Sequence, residues 1–235
     1  MLIYLDVETT GLDARDRICA LGLILDDGSK IEVYEEYVKP TCKISTEAMA
    51  VHHITNEMLQ DSAGIESSKV MALLDEYNSV DNTLVVHNIN FDLEMLAKEG
   101  FIWSGALIDT MKCSKHLIEE IDRFSLQYLR YELGLYKKEQ EDAVPLGIQV
   151  TAHNALSDAF HTRRLHHYLK EIADDDTLMM LTTEPVLIKK LNFGKYKGHY
   201  LEEIAMNDVG YLQWLLNQEI DEDLEFSIKQ NLEGL

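Results

Sequence analysis

The sequence predicts an α/β domain followed by a small C-terminal extension. Three observations carry this: 235 residues that are 46% hydrophobic, strand-like runs that pass into alternating apolar runs and helical stretches, and an abrupt change of composition after residue 172. The first allows one sizeable core with room for an appendage.

Leu2 to Glu8 alternates in hydropathy and predicts the first strand. Ile18 to Leu25 and Ile31 to Val38 are β-rich runs separated by Asp26-Asp27-Gly28-Ser29, which has the chemistry of a hairpin turn. Beyond Pro40 the pattern turns helical, with Ser45 as an N-cap and apolar residues at helical intervals from Val70 to Tyr77. Leu84-Val85-Val86 is a short apolar run of the kind buried in a sheet. The polar turn His87-Asn88-Ile89-Asn90 follows it, then a helix from Phe91 towards Lys98. Ala106-Leu107-Ile108 predicts another strand, ending at Asp109, which suits the N-cap of the next helix. Helices are expected over Met111 to Ile118, Ser125 to Leu133 and Ala155 to Ile172. The order is a strand meander leading into α/β crossovers.

Asp174-Asp175-Asp176 and Thr182-Thr183-Glu184-Pro185 cluster charge, Thr and Pro, so residues 173–186 read as a linker between a main domain (1–172) and a small one (187–235). The small domain opens with a glycine-bounded basic-aromatic loop, Phe193-Gly194-Lys195-Tyr196-Lys197-Gly198, followed by Leu201 to Ala205 and a helix from Tyr211 to Asn217. Lys189, Lys190, Lys195 and Lys197, interleaved with Phe193 and Tyr196, suit phosphate contacts and base stacking. The alternative is that Phe193, Tyr196, Tyr211 and Trp214 form a small core with the lysines solvated around it.

A carboxylate at the sixth residue and no basic stretch before an apolar run predict neither a signal peptide nor a membrane span. Cys19, Cys42 and Cys113 are odd in number and widely spaced, which suggests no disulfide framework and no zinc site. A reducing cytoplasm is expected. The net charge of −21 argues against broad attraction to a polyphosphate. Affinity for one would have to come from bound cations and from basic patches acting within a Debye length of about 8–10 Å.

Residues i and i+2 of a strand share a face, so Asp6 and Glu8 present two carboxylates side by side at the end of the first strand. Alone, such a pair is an ordinary acidic strand end, but Gly11 just beyond allows the backbone to turn tightly and approach a ligand. Asp92 stands where a helix begins after a buried strand, a position the helix dipole also favours. His153 and Asp158 are five apart, which would put them on different faces of one helix. His153 is therefore placed in the preceding loop and Asp158 in the second helical turn. Each of these residues has an ordinary reading as a cap or solvated side chain. Together, at element ends where an α/β sheet gathers its functional groups, they form a hard oxygen-donor set suited to Mg²⁺ or Mn²⁺. Two such ions can promote in-line displacement at phosphorus, and a histidine can accept the proton of the attacking water.

Asp6-Val7-Glu8-Thr9-Thr10-Gly11-Leu12, the His87 to Asp92 segment and His153-Asn154-Ala155-Leu156-Ser157-Asp158-Ala159 resemble, in order, the three exonuclease motifs of the DEDDh branch of the DnaQ-like superfamily. Val51-His52-His53-Ile54-Thr55 and Ile108-Asp109-Thr110 resemble accessory segments of that family. Leu191 to Gly198 with Tyr211-Leu212-Gln213-Trp214-Leu215 is similar to the C-terminal part of the bacterial exodeoxyribonuclease X family. The resemblance implies a ribonuclease H-like mixed five-stranded sheet flanked by helices. It implies release of 5′-nucleotides from DNA 3′ ends, mainly single-stranded, by two divalent cations. Asp6, Glu8, Asp92 and Asp158 would be the metal ligands and His153 the general base. Thr9 and Leu12 match positions that contact the terminal nucleotide, and Thr10, Gly11, His87, Asn88 and Phe91 are expected beside them, with Lys195 and Lys197 as a DNA clamp. An RNA substrate of the same metal chemistry, and a repair or polymerase partner, are the alternatives it leaves open.

Overall fold

The computed structural model describes residues 1–118, 121 and 123–233; Glu119, Glu120, Asp122, Gly234 and Leu235, which fall within the two domains expected from the sequence, lie outside them. The chain divides into two compact units, Met1–Thr182 and Thr183–Leu235.

The first unit is built on a mixed five-stranded sheet flanked by helices, with strand order β3-β2-β1-β4-β5. Strands β1 (Leu2–Thr9), β2 (Ile18–Asp26) and β3 (Ile31–Tyr37) form the antiparallel meander, and β4 (Thr83–Val86) and β5 (Ala106–Asp109) add in parallel beyond β1. The hairpin turn closes as its residues require: Gly28 takes φ +83, and Asp27 accepts hydrogen bonds from the amides of Ser29 and Lys30.

Alternation along β1 divides the core. Ile3, Leu5 and Val7 face one layer with α2 (Lys69–Glu76) and α3 (Ile89–Lys98). Tyr4 faces the other, with α4 (Thr110–Leu117), α5 (Leu126–Glu132), α7 (Ala155–Lys170) and α8 (Asp175–Thr183). Asp6 and Glu8 share the parity of Tyr4 and therefore point to the α7 layer. Gly22, paired with Asp6 in the sheet, permits a close approach there: a β-carbon at position 22 would lie 2.2 Å from the backbone of Ala155 and Leu156, at the start of α7.

The caps read from the sequence are present. Ser45 accepts from the amide of Ala48 ahead of α1 (Thr46–His52), and Asp109 accepts from Met111 and Lys112 ahead of α4. One segment differs from expectation. Residues 173–186, assigned to a linker, contain α8, whose Leu178 is fully buried in the second core. The acidic cluster starts this helix: Asp174 accepts from the amide of Thr177, and Asp175 bonds His166 and Lys170 of α7. Helices α6 (Glu139–Ala143) and α11 (Glu222–Glu233) have no counterpart in the sequence reading.

The second unit packs α9 (Leu201–Asn207), α10 (Val209–Leu215) and α11 around Leu191, Leu201, Ile204, Leu212, Leu215, Leu224 and Ile228. Its glycine-bounded loop closes through Gly198 N–H donating to Leu191 O at 2.7 Å, with Gly194 at φ +66 and Gly198 at φ +88. Tyr196 and Tyr211 meet edge to face, 5.0 Å between centroids, against this core, whereas Phe193 and Trp214 remain exposed.

Candidate active site

Oxygens of Asp6, Glu8 and Asp158 lie within 4.8 Å of one another, at the C-terminal end of β1 and in the first turns of α7. Strand parity supplies the first two, and the approach of α7 to Gly22 supplies the third. Asp92, in the first turn of α3, is 3% exposed, and its Oδ1 is buried without a hydrogen-bond partner.

The electrostatics describe one acidic cluster. Burial pushes Asp6 well above the usual carboxylate range, and Asp92, Asp158 and Glu8 add to this in that order. Burial, reinforced by Asp158, pushes Glu8 up to about 8. Asp92 is also raised by burial, which outweighs hydrogen bonding from the Val7 backbone and its own amide. A carboxylate set buried this deeply and crowded by its own charges, with an orphaned buried oxygen beside it, fits hard divalent cations: their charge would offset both, and their coordination would satisfy Asp92 Oδ1.

His153 sits two residues ahead of α7, exposed and in the left-handed region at φ +55. A residue with a β-carbon pays about 1–2 kcal/mol there. Asn154 next to it caps α7 by accepting from Ser157 N–H and donates its side-chain amide to Glu35 of β3. The loop is thus tied at the residue after the histidine.

The expected substrate residues divide into two groups. Leu12 is 84% exposed at the tip of the loop after β1, and Asn88 is exposed at φ +70 in the turn before α3. Gly11 is half-buried, and a β-carbon there would meet the Asp16 carboxylate at 2.6 Å. Phe91 is half-buried against the first core, and Thr9 is buried with its hydroxyl donating to Gly11 O. Thr10 and His87 differ from expectation. Thr10 is fully buried, its hydroxyl donating to Asp16 at 2.6 Å and accepting from Arg17 N–H, so it holds the loop together. Both ring nitrogens of His87 face inward: Nε2 donates to Phe124 O at 2.8 Å, and Nδ1 meets the Thr110 hydroxyl at 3.0 Å. In the second unit Lys197 is exposed, while Lys195 lies over the Tyr196 ring and pairs with Asp208 at 3.1 Å.

Four further residues support the site. Gly22 admits α7. His52 bonds Thr9 O through Nε2 and accepts from Ile54 N–H through Nδ1, which fixes the end of β1. Asp109, besides capping α4, accepts from the amides of Asn88 and Ile89 and so anchors the turn before Asp92. Gln127 donates to Asp158 at 2.6 Å. For His52 and Asp109 the accessory segments were a signal; for Gly22 and Gln127 the sequence held none.

The exonuclease family model matches residues 3–165, and a model of the exodeoxyribonuclease X-like C-terminal family matches residues 191–219. Exodeoxyribonuclease 10 of Escherichia coli K12 is 30% identical over 240 residues, 100% of each chain. The PolC-type DNA polymerase III of Thermotoga petrophila is 34% identical over 142 residues, which are 57% of this chain and 10% of that one. Among solved structures, exonuclease X in complex with 5′-overhanging duplex DNA matches with a TM-score of 0.59 and 26% identity, covering 77% of this chain and 99% of that one. E. coli exonuclease I with a dT13 oligonucleotide shares the fold at a TM-score of 0.54 and 19% identity, over 72% of this chain and 40% of that one. With the carboxylates gathered on a mixed sheet of this kind, the chain belongs to the DnaQ-like exonuclease family and carries an exodeoxyribonuclease X-like C-terminal segment.

Proposed function

We propose that this exonuclease removes 5′-mononucleotides from the 3′ ends of DNA, with single strands as its preferred substrate. The observation that carries the reading is the convergence of Asp6, Glu8 and Asp158, with the unsatisfied Asp92 oxygen beside them. These four carboxylates would hold two divalent cations, Mg²⁺ or Mn²⁺, which when bound supply charge stabilisation for in-line displacement at phosphorus. His153 accepts the proton of the attacking water as the P–O3′ bond breaks, and its solvent exposure in the loop ahead of α7, the helix that carries Asp158, suits that exchange. Leu12 packs on the terminal base, and Thr9 to Gly11 shape the backbone around the terminal sugar. DNA is favoured by the relatives: one is named an exodeoxyribonuclease, and solved relatives hold a duplex with a recessed strand and a dT13 strand.

In this reading the second unit is a DNA clamp, in which Lys197 contacts phosphate directly and Lys195 must exchange Asp208 for it. No helix among the described residues is long and apolar enough to cross a membrane, and free thiols at Cys19, Cys42 and Cys113 suit a cytoplasmic setting. A polymerase partner is the second reading, supported by the match to PolC-type polymerases over 57% of this chain. Incubating 3′-labelled and 5′-labelled DNA and RNA strands with Mg²⁺, with and without chelator, tests the first reading. Mononucleotide release from the 3′ end of DNA, abolished by chelator, is expected; chelator-resistant turnover or a preference for RNA would overturn it.

A further inference from the structure

Behind Asp158 lies a chain of polar contacts drawn from three helices. Gln127 of α5 donates its amide N–H to Asp158 Oδ1 at 2.6 Å, and His161, one turn along α7, donates Nδ1–H to the same oxygen at 3.2 Å. The Gln127 amide cannot flip freely, because its oxygen accepts from Arg130 Nη1 at 2.9 Å. Arg130 is in turn held by a two-pronged bond to Glu139 of α6, Nε at 2.7 Å and Nη2 at 2.5 Å. Glu139 Oε2 also lies 3.6 Å from His161 Nε2, beyond hydrogen-bond reach, and that nitrogen is buried without a hydrogen-bond partner.

Arg130, Glu139, Asp158 and His161 are all buried, so the back of the carboxylate is shielded from bulk water. A guanidinium and a carboxylate taken out of water this way cost desolvation energy, which two helices' worth of packing could have avoided with apolar side chains. What the arrangement supplies in return is direction: a carboxylate on a single bond rotates, and two donors converging on one oxygen stop it.

We propose that Gln127, oriented by the Arg130–Glu139 pair, is a positioning residue that with His161 fixes the Asp158 carboxylate and leaves its second oxygen as the cation ligand. This rests on the reading of Asp158 as a metal ligand. Partners one step behind a ligand are worth about 10–100-fold in metal affinity or activity when removed.

The test is calorimetric titration of the metal-free full-length protein with Mn²⁺, alongside kcat and KM on a single-stranded DNA. Gln127→Met keeps length and helix propensity but removes the donor, and Gln127→Asn keeps the amide but is too short to reach. Both substitute a half-buried side chain, and Glu132→Gln on the exposed face of α5 serves as control. Both Gln127 variants should bind Mn²⁺ about 10–100-fold more weakly and lose kcat, with melting temperature and KM for DNA close to wild type. The control should match wild type. Asp158→Asn is titrated in parallel. If it loses Mn²⁺ affinity while both Gln127 variants keep theirs within about twofold, well short of the range for such partners, the positioning role is overturned. If Asp158→Asn itself binds Mn²⁺ as wild type does, the metal reading of the site fails instead.

Discussion

Replacing Glu8 with Gln should make the metal-free protein more stable at alkaline pH, although it removes a functional group. Burial, with Asp158 beside it, raises Glu8 from its ordinary 4.5 to about 8. In the unfolded chain the carboxyl ionises near 4.5, so between that pH and 8 the folded protein holds one more proton than the unfolded. Stability is therefore fully present below 4.5 and falls as pH rises towards 8. At about 1.4 kcal/mol for each tenfold change in proton affinity, the full loss is about 5 kcal/mol; partial exposure of the cluster reduces this to about 2–5 kcal/mol. Gln cannot ionise and avoids the loss. In a unit of this size about 1 kcal/mol moves the melting temperature by roughly 2–4 °C, so Glu8→Gln should melt roughly 5–15 °C above wild type at pH 9 in chelator. The gap should close at pH 5, where wild-type Glu8 is protonated. Millimolar Mg²⁺ should raise the wild-type melting temperature more at pH 9 than at pH 6, because ligand carboxyls must shed protons to bind it. Thermal denaturation at pH 5, 6 and 9 with and without Mg²⁺ checks all three expectations. A variant no more stable than wild type at pH 9 would refute the account of a carboxyl whose ionisation burial and Asp158 oppose.

Gly22→Ala should cost about 1–3 kcal/mol or more, because its β-carbon would lie 2.2 Å from the α7 backbone, and should lower turnover by moving Asp158 from Asp6. Chemical denaturation and activity check it; unchanged values in both would mean the close approach is dispensable. His153→Asn should retain DNA affinity but lose about 10²–10⁴-fold in single-turnover rate, the range of general-base catalysis, and a fall under about threefold would remove the residue from the chemistry. Truncation after Asp176 should unfold the first unit, since it deletes buried Leu178 and the Thr182 hydroxyl that accepts from Asp109 N–H. Truncation after Glu184 should leave cooperative melting intact, and identical melting of the two truncated chains would show α8 to be unimportant.

What the sequence made legible was governed by local periodicity. The two-residue repeat of β1 is enough to put Asp6 and Glu8 on one face, and the hairpin and its turn follow from Asp27 and Gly28 within a few residues of each other. The convergence of Asp6 with Asp158 spans about 150 residues, and no periodicity carries that; only the order of the three motifs pointed to it. The linker expectation failed for a related reason. Three consecutive aspartates read as solvated charge when counted, yet Asp174 is a cap with Thr177 three residues on, and Asp175 answers His166 and Lys170 across a helix pair.

Thr10 and His87 show the other boundary. Both were assigned to substrate because they stand inside motifs, but adjacency in sequence does not say which way a side chain points. Thr10 alternates with Thr9 at the end of β1 and turns its hydroxyl onto Asp16. His87 follows a strand whose interior residues are fully buried, so its ring is carried inward, where a carbonyl and a hydroxyl occupy both nitrogens. Because a carbonyl can only accept, Nε2 must carry the proton, and burial keeps the ring's pKa below its ordinary value. A neutral ring with both nitrogens engaged has nothing left to offer a phosphate. The motif residues that do face solvent, Leu12, Asn88 and His153, are one exposed loop tip and two held at positive φ. Backbone cost of that kind is tolerated where the orientation it imposes is used.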